Sequence, residues 1–271
     1  MTEQPPIDTT VREAIRVGRE EVAALVAELR AGGDANWDAP SYCKGWAVKD
    51  AVVHTVRAVT LLGGNIRAVL SGQPPPLSEP ERAADLGRQL LAQPREQVIG
   101  ELQRVYEDFA EYVETLDVAA LAFPVQLPFG TFPVWQIVVV ILNELVVHHW
   151  DMRAGQQPNA RLNAEAVPAL VGLGVGGVGL LGRGEKVDGT WQLDVDAPGA
   201  GPLTLQVQGD QVTSRPGPAQ NPAARLGMDG EAFVLLVWGR LDLAQAIDSG
   251  RVRVDGDRGR AMALQRLFPG G

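Results

Sequence analysis

The chain has 271 residues, of which 45% are hydrophobic, and a formal net charge of −9. That length exceeds one typical domain of ~100–200 residues, so two domains are expected. The acidic balance, with no cluster of Lys or Arg, argues against nucleic acid and anionic membrane and leaves a small molecule as the expected partner of a monomer or small homo-oligomer.

A single cysteine, Cys43, excludes an internal disulfide. The amino terminus MTEQPPIDTT lacks the basic and apolar regions of a signal peptide, so a cytoplasmic protein is expected. Asp8 or Thr9 can cap a first helix running to about Arg30, where Gly32 and Gly33 stop it. Val11, Ile15, Val22, Leu25, Val26 and Leu29 recur along it at helical spacing and mark one buried face. After a loop through Asn36–Gly45, a second helix is predicted from about Trp46 to Leu70. Ser78 followed three residues later by Glu81 is a capping box that opens a third helical stretch to about Leu116, broken or kinked at Pro94. A fourth runs from Val134 to about Arg153. Four such segments joined by loops predict a helical bundle over residues 1–155, with Gln156–Asn163, including Pro158, as a polar linker.

The texture then changes. The longest uncharged apolar run, Ala166–Gly182, is marginally long for a membrane span of ~20 residues, heavy in glycine and interrupted by Pro168, so no span is expected. The same run contains GxGxxG, but no strand precedes it, and a glycine-rich helix or packed connector fits better than a dinucleotide loop. Thr190–Asp196, Leu203–Gln208 and Val212–Ser214 alternate apolar and polar residues and read as strands. Glu231–Trp238 and Leu243–Asp248 read as helices, Arg251–Val254 as a last strand and Arg258–Leu267 as a closing helix. Residues 164–271 are therefore expected to form a smaller α+β layer.

Glu144 and His148 are four residues apart in the apolar stretch Val134–Trp150, so carboxylate and imidazole leave one face of one helix. Their flanks, Ile137–Leu142 and Leu145–Val147, are apolar nearly all round, so the helix is buried and a charged Glu in it needs a partner. His54, on the second helix, can complete a set of two nitrogens and one oxygen, and three protein ligands with an open position are the arrangement of a catalytic zinc. A satisfied buried hydrogen-bond network is the competing reading. His149 is rotated about 100° from His148 and is expected to face elsewhere. Asp50, four before His54, and Asp151, three after His148, are either outer carboxylates orienting an imidazole or ordinary helix caps and surface ion pairs. Cys43, in SYCKGW, is read as a small buried hydrophobe in preference to a nucleophile. Arg57, near the face of His54, and Arg240, in Trp238-Gly239-Arg240, are candidates for a substrate carboxylate; Arg240 is equally a solvated end-of-helix cation.

WDAPSYCKGWAVKDAVVH, residues 37–54, and ELVVHHWDMRAG, residues 144–155, with its Glu-x3-His-x2-Asp pattern, resemble the two metal-bearing segments of the DinB-like four-helix bundle in the mycothiol-dependent maleylpyruvate isomerase family. Ala224–Phe268, including GMDGEAFVLLVWGR and GRVRVDGD, resembles that family's sterol-carrier-like α+β domain. The pattern departs at Thr55, where relatives often carry an apolar residue, and in the glycine-rich Gly172–Gly179. The resemblance implies a divalent metal, usually zinc, on His54, Glu144 and His148, and a low-molecular-weight thiol such as mycothiol at the open position. It implies isomerase chemistry, in which a thiolate adds to an activated double bond, rotation follows and the thiol is expelled; the same thiolate could instead attack another electrophile as an S-transferase. Two further readings are a small-molecule or lipid binding protein with a structural metal, and a metal-dependent hydrolase.

Overall fold

The computed structural model describes residues 6–76, 80–157 and 159–270. Ser78 of the expected capping box and Pro158 of the expected linker lie outside the described residues, as does the start of the chain up to residue 5. The described residues form two compact units that divide between Ala166 and Val167.

The first unit is built on four long helices. The first, α1 (Ile7–Trp37), starts behind Pro6 instead of at Asp8 or Thr9, and no side chain caps it. Asp8 falls in its first turn, where a carboxylate complements the helix dipole and pairs with Arg12 at 2.7 Å. Regular helical geometry breaks at Gly33, with φ 63 and ψ −160, before the chain winds on to Trp37. A side chain would be strained there, which is why the Gly32-Gly33 pair read as a stop.

Helix α2 (Val48–Leu70) begins two residues later than expected, because the Asp50 carboxylate reaches back and accepts the Ala47 N–H at 2.8 Å. Pro94 divides the third stretch into α3 (Pro80–Leu91) and α4 (Arg95–Glu114). A short α5 (Val118–Leu121), capped by Asp117, leads into a hairpin of β1 (Pro124–Leu127) and β2 (Gly130–Pro133). Neither was expected from the sequence, since Pro and Gly at the strand ends mask a run of only four residues. The fourth long helix, α6 (Val134–Ala154), follows at once.

Helices α1 and α2 each pack on α4 and on α6, so the four enclose one core. Ile15, Leu25, Ile66, Ile99, Leu102, Ile137, Ile141 and Leu142 fill it with almost no exposed surface. Gly18 allows α1 to meet α4 closely: a Cβ there would lie 1.8 Å from Tyr106 Oη, and that hydroxyl donates to the Ile15 carbonyl at 3.3 Å. Thr55 is fully buried, and its hydroxyl donates to the Ala51 carbonyl one turn back at 2.9 Å, which satisfies it inside the bundle.

The second unit opens with α7 (Val167–Leu181), the glycine-rich run; no helix among the described residues is long and apolar enough to cross a membrane. Gly174 lies against Phe233 and Val237, and Gly179 against the Val212 carbonyl, so the small residues serve close packing. A five-stranded sheet follows in the order β5-β4-β3-β6-β7, from β3 (Gly189–Asp196), β4 (Pro202–Gln208), β5 (Gln211–Pro216), β6 (Ala224–Asp229) and β7 (Arg253–Gly256). Pairings are antiparallel except β3 with β6, which is parallel, the intervening chain being the crossover. Strand β6 escaped the sequence reading although Ala224, Leu226 and Met228 alternate inward, because Ala, Gly and Asp are poor strand formers. Helices α8 (Gly230–Val237), capped by Asp229, and α10 (Arg258–Leu267), capped by Asp257, pack on the sheet, and α9 (Leu243–Asp248) packs on α10.

One polar link crosses the bundle core. His149 on α6 meets Glu21 of α1 at 2.7 Å through Nδ1 and Glu28 at 3.0 Å through Nε2, and Asn163 Nδ2 donates to the other Glu21 oxygen at 2.8 Å. Glu21 is 3% exposed, so its loss would leave the buried His149 Nδ1 edge and the half-buried Asn163 amide without their carboxylate. Glu21→Ala is expected to cost roughly 1–3 kcal/mol, read from urea unfolding midpoints, whereas Glu28→Ala, at the solvent-facing end, should cost clearly less. Equal costs would show that burial of the Glu21 carboxylate does not matter.

Candidate metal centre

Helices α2 and α6 lie side by side, and His54 projects from α2 toward Glu144 and His148 on α6. His54 Nε2 is 3.0 Å from Glu144 Oε2, and His148 Nε2 is 3.4 Å from the same oxygen. The imidazole centroids are 4.6 Å apart, set edge to face. One donor atom from each residue lies within 4.8 Å of the others. The side chain of His54 is 35% exposed, against 18% for Glu144 and 11% for His148, so the cluster opens on the His54 side and is closed behind His148.

The electrostatics follow from that geometry. Burial by itself pushes the Glu144 carboxyl up, but hydrogen bonds with His148 and His54, and their positive charge, outweigh it and hold the group well below the usual carboxylate range. Burial pulls His148 down, while Asp151, Cys43 and Glu144 together raise it well above its ordinary value. The same balance raises His149, where Glu21 and Glu28 overcome burial. His149 thus faces α1, consistent with its rotation from His148 on the helix, and does not join the cluster.

Two nitrogens and one carboxylate oxygen converging on one point are a donor set that suits zinc and other borderline divalent ions. The residues therefore fit the group that the sequence pattern implies. Both imidazoles present Nε2 to the shared carboxylate, and no backbone atom needs to be recruited.

Of the two outer carboxylates, Asp151 Oδ2 sits 3.0 Å from His148 Nδ1. Asp50 instead caps α2 through Ala47, the second of the two roles its position allowed. Arg57 packs on α3, where a Cβ on Gly87 would lie 3.1 Å from its Cδ. Arg240 belongs to the second unit; it is 7% exposed and donates to the Trp238 carbonyl at 2.6 Å, so it is not a solvated helix-end cation.

The loop before α2 contributes more than its sequence indicated. Cys43 is buried, and its Sγ donates to Asp151 Oδ2 at 3.2 Å. The half-buried Trp46 ring lies 5.2 Å from His54 and 6.1 Å from His148, nearly parallel to the latter at 26°. The loop is held in place by Tyr42 N–H to the Asp151 carbonyl at 2.8 Å and Ser41 N–H to the Trp46 carbonyl at 2.9 Å. A separation of 108 residues between Cys43 and Asp151 leaves no local pattern to find.

The family model for the mycothiol maleylpyruvate isomerase N-terminal domain matches residues 15–153, just over half of the chain. The chain belongs to this family. The model for the SCP-2 sterol transfer family matches residues 180–269. Among solved structures, the fold resembles that of a mycothiol-dependent maleylpyruvate isomerase, with a TM-score of 0.62 at 14% identity over 93% of each chain. A histidine-to-alanine variant of a mycothiol-dependent maleylpyruvate isomerase gives a TM-score of 0.65, also at 14% identity and over 93% of each chain. No curated protein matches. These likenesses establish the family's fold for both units: a helical region followed by a sheet-bearing domain.

The loop and the end of α6 are in direct contact at Gly155, where a Cβ would fall 2.4 Å from the Pro40 carbonyl oxygen. With φ −61 the backbone of Gly155 suits alanine, so the cost of Gly155→Ala comes from displacing the loop. The substitution is expected to destabilise by roughly 1–3 kcal/mol and to change Trp46 fluorescence. Unchanged emission at reduced stability would separate the loop position from the packing at Gly155.

Proposed function

We propose that this member of the family is a divalent-metal enzyme, with zinc the expected ion, that uses a low-molecular-weight thiol such as mycothiol on an electrophilic small molecule, as an isomerase or S-transferase. The observation that carries the reading is the convergence of His54, Glu144 and His148 on one point with an open side. In this reading those three residues hold the ion. A bound divalent cation would favour the thiolate form of a thiol at neutral pH, which is the nucleophilic form.

The chain's own residues account for the surroundings. Cys43 groups with His148 and Asp151 and not with His54 and Glu144, so the only thiol of the chain is beside the Nδ1 edge of His148. Nδ1 and Nε2 leave opposite edges of the ring, which turns Cys43 away from the open side and supports a thiol supplied from outside. Trp46 forms an apolar wall next to both imidazoles. Arg57, three residues after His54, is proposed for a substrate carboxylate. Arg240 is the second proposal for that role, although it already serves the Trp238 carbonyl.

The match of the second unit to the SCP-2 sterol transfer model supports a further reading, in which that unit holds an apolar ligand. Saturable binding of a fluorescent fatty acid to the full chain, with no thiol turnover on any electrophile, would favour it over the enzyme.

The enzyme reading predicts about one divalent ion per chain, lost in His54→Ala and His148→Ala, by elemental analysis after dialysis. The cobalt-substituted protein should gain a sulfur-to-cobalt absorption when thiol is added. Full occupancy in both variants would remove the basis of the proposal, and turnover without added thiol would favour a hydrolase.

A further inference from the structure

Behind the cluster lies a second set of donors, Cys43, His148 and Asp151, all buried and sharing His148 with the first. Asp151 is 0% exposed. Its Oδ2 lies 3.0 Å from His148 Nδ1 and accepts from Cys43 Sγ at 3.2 Å, and its backbone carbonyl accepts the Tyr42 N–H at 2.8 Å. One residue of α6 thus grips a proposed metal ligand with its side chain and the Trp46-bearing loop with its side chain and its backbone.

Two explanations compete. A second cation on Nδ1, with the first on Nε2, requires the imidazole to give up both ring protons and leaves a buried ion with only three protein donors. A carboxylate that accepts from a ring N–H and a thiol satisfies all three groups with no ion. The second accounts for both contacts of the carboxylate oxygen, and an aspartate that accepts from both neighbours has its ring partner protonated on Nδ1.

We propose that Asp151 is the positioning residue of this site: it fixes His148 with the proton on Nδ1 and Nε2 directed at Glu144 and His54, and through Cys43 and Tyr42 it sets the loop that places Trp46 against both rings. The inference rests on the metal reading above. A hydrogen-bonded carboxylate behind a ligating histidine orients the ring and raises its basicity, and its loss typically weakens metal binding about 10- to 100-fold.

The test uses full-length wild type, Asp151→Asn and Cys43→Ala, with folding checked by circular dichroism. Zinc affinity is measured by competition with a chromophoric chelator, the cobalt spectrum reports the ligand field, and 15N shifts of the zinc-loaded protein report which nitrogen of His148 carries the proton. The expected result is a protonated Nδ1 in wild type, one ion per chain, an affinity about 10- to 100-fold lower in Asp151→Asn with a shifted cobalt spectrum, and a smaller loss with altered Trp46 emission in Cys43→Ala. If Asp151→Asn does not fold, the 15N result and Cys43→Ala decide. Affinity within twofold of wild type and an unchanged cobalt spectrum in the variants would overturn the proposal while leaving the metal reading standing. So would a second ion whose sulfur-to-cobalt band disappears in Cys43→Ala. A wild-type protein that binds no ion overturns both.

Discussion

A carboxylate in the middle of an apolar helix is the constraint around which the first unit is organised. Glu144 has Leu142, Leu145 and Val146 as buried neighbours on α6, and an ionised carboxylate in such surroundings is costly unless positive charge or hydrogen-bond donors meet it. The fold supplies them from two sources, His148 one turn on and His54 from α2, both directed at a single oxygen. That demand fixes the setting of α6 against α2, since His54 is flanked on its helix by Val53 and Thr55.

Adjacent histidines on α6 divide two tasks by the geometry of the helix. A step of about 100° sends His148 toward α2 and His149 toward α1. His149 is bound at both nitrogens by Glu21 and Glu28, which makes it a polar tie in the core. His148 has Asp151 and Cys43 behind it and Glu144 in front, so its ring is gripped from both edges. The least buried of the three, His54, lies on the side through which a small molecule can approach.

Much of this was legible in the sequence because helices advertise their faces locally. The four-residue spacing of Glu144 and His148 and the apolar flanks pointed to the cluster before any fold was known, and the apolar positions of α1 named as its inner face are all buried. What escaped did so for definite reasons. Strand β6 alternates correctly but is written in residues with weak strand preference, and the β1–β2 hairpin is too short to rise above its prolines. Asp50 and Asp151 looked alike as carboxylates near a histidine on the same helix. Only the start of α2 at Val48 and the burial of Asp151 separate a cap from a side chain that touches His148. Cys43 was set aside because no histidine is near it in sequence, and its neighbours come from the far end of the unit, across a contact that no local spacing encodes.

His54, Glu144 and His148 are proposed to share one cation. X-ray absorption at the metal edge of the full-length protein, loaded with one equivalent of zinc and free of added thiol, examines that claim most directly. It predicts a shell of light atoms with the multiple-scattering signature of two imidazoles and no sulfur. Sulfur in that shell would put Cys43 on the ion, and a shell lacking imidazole scattering would show that His54 and His148 do not hold it.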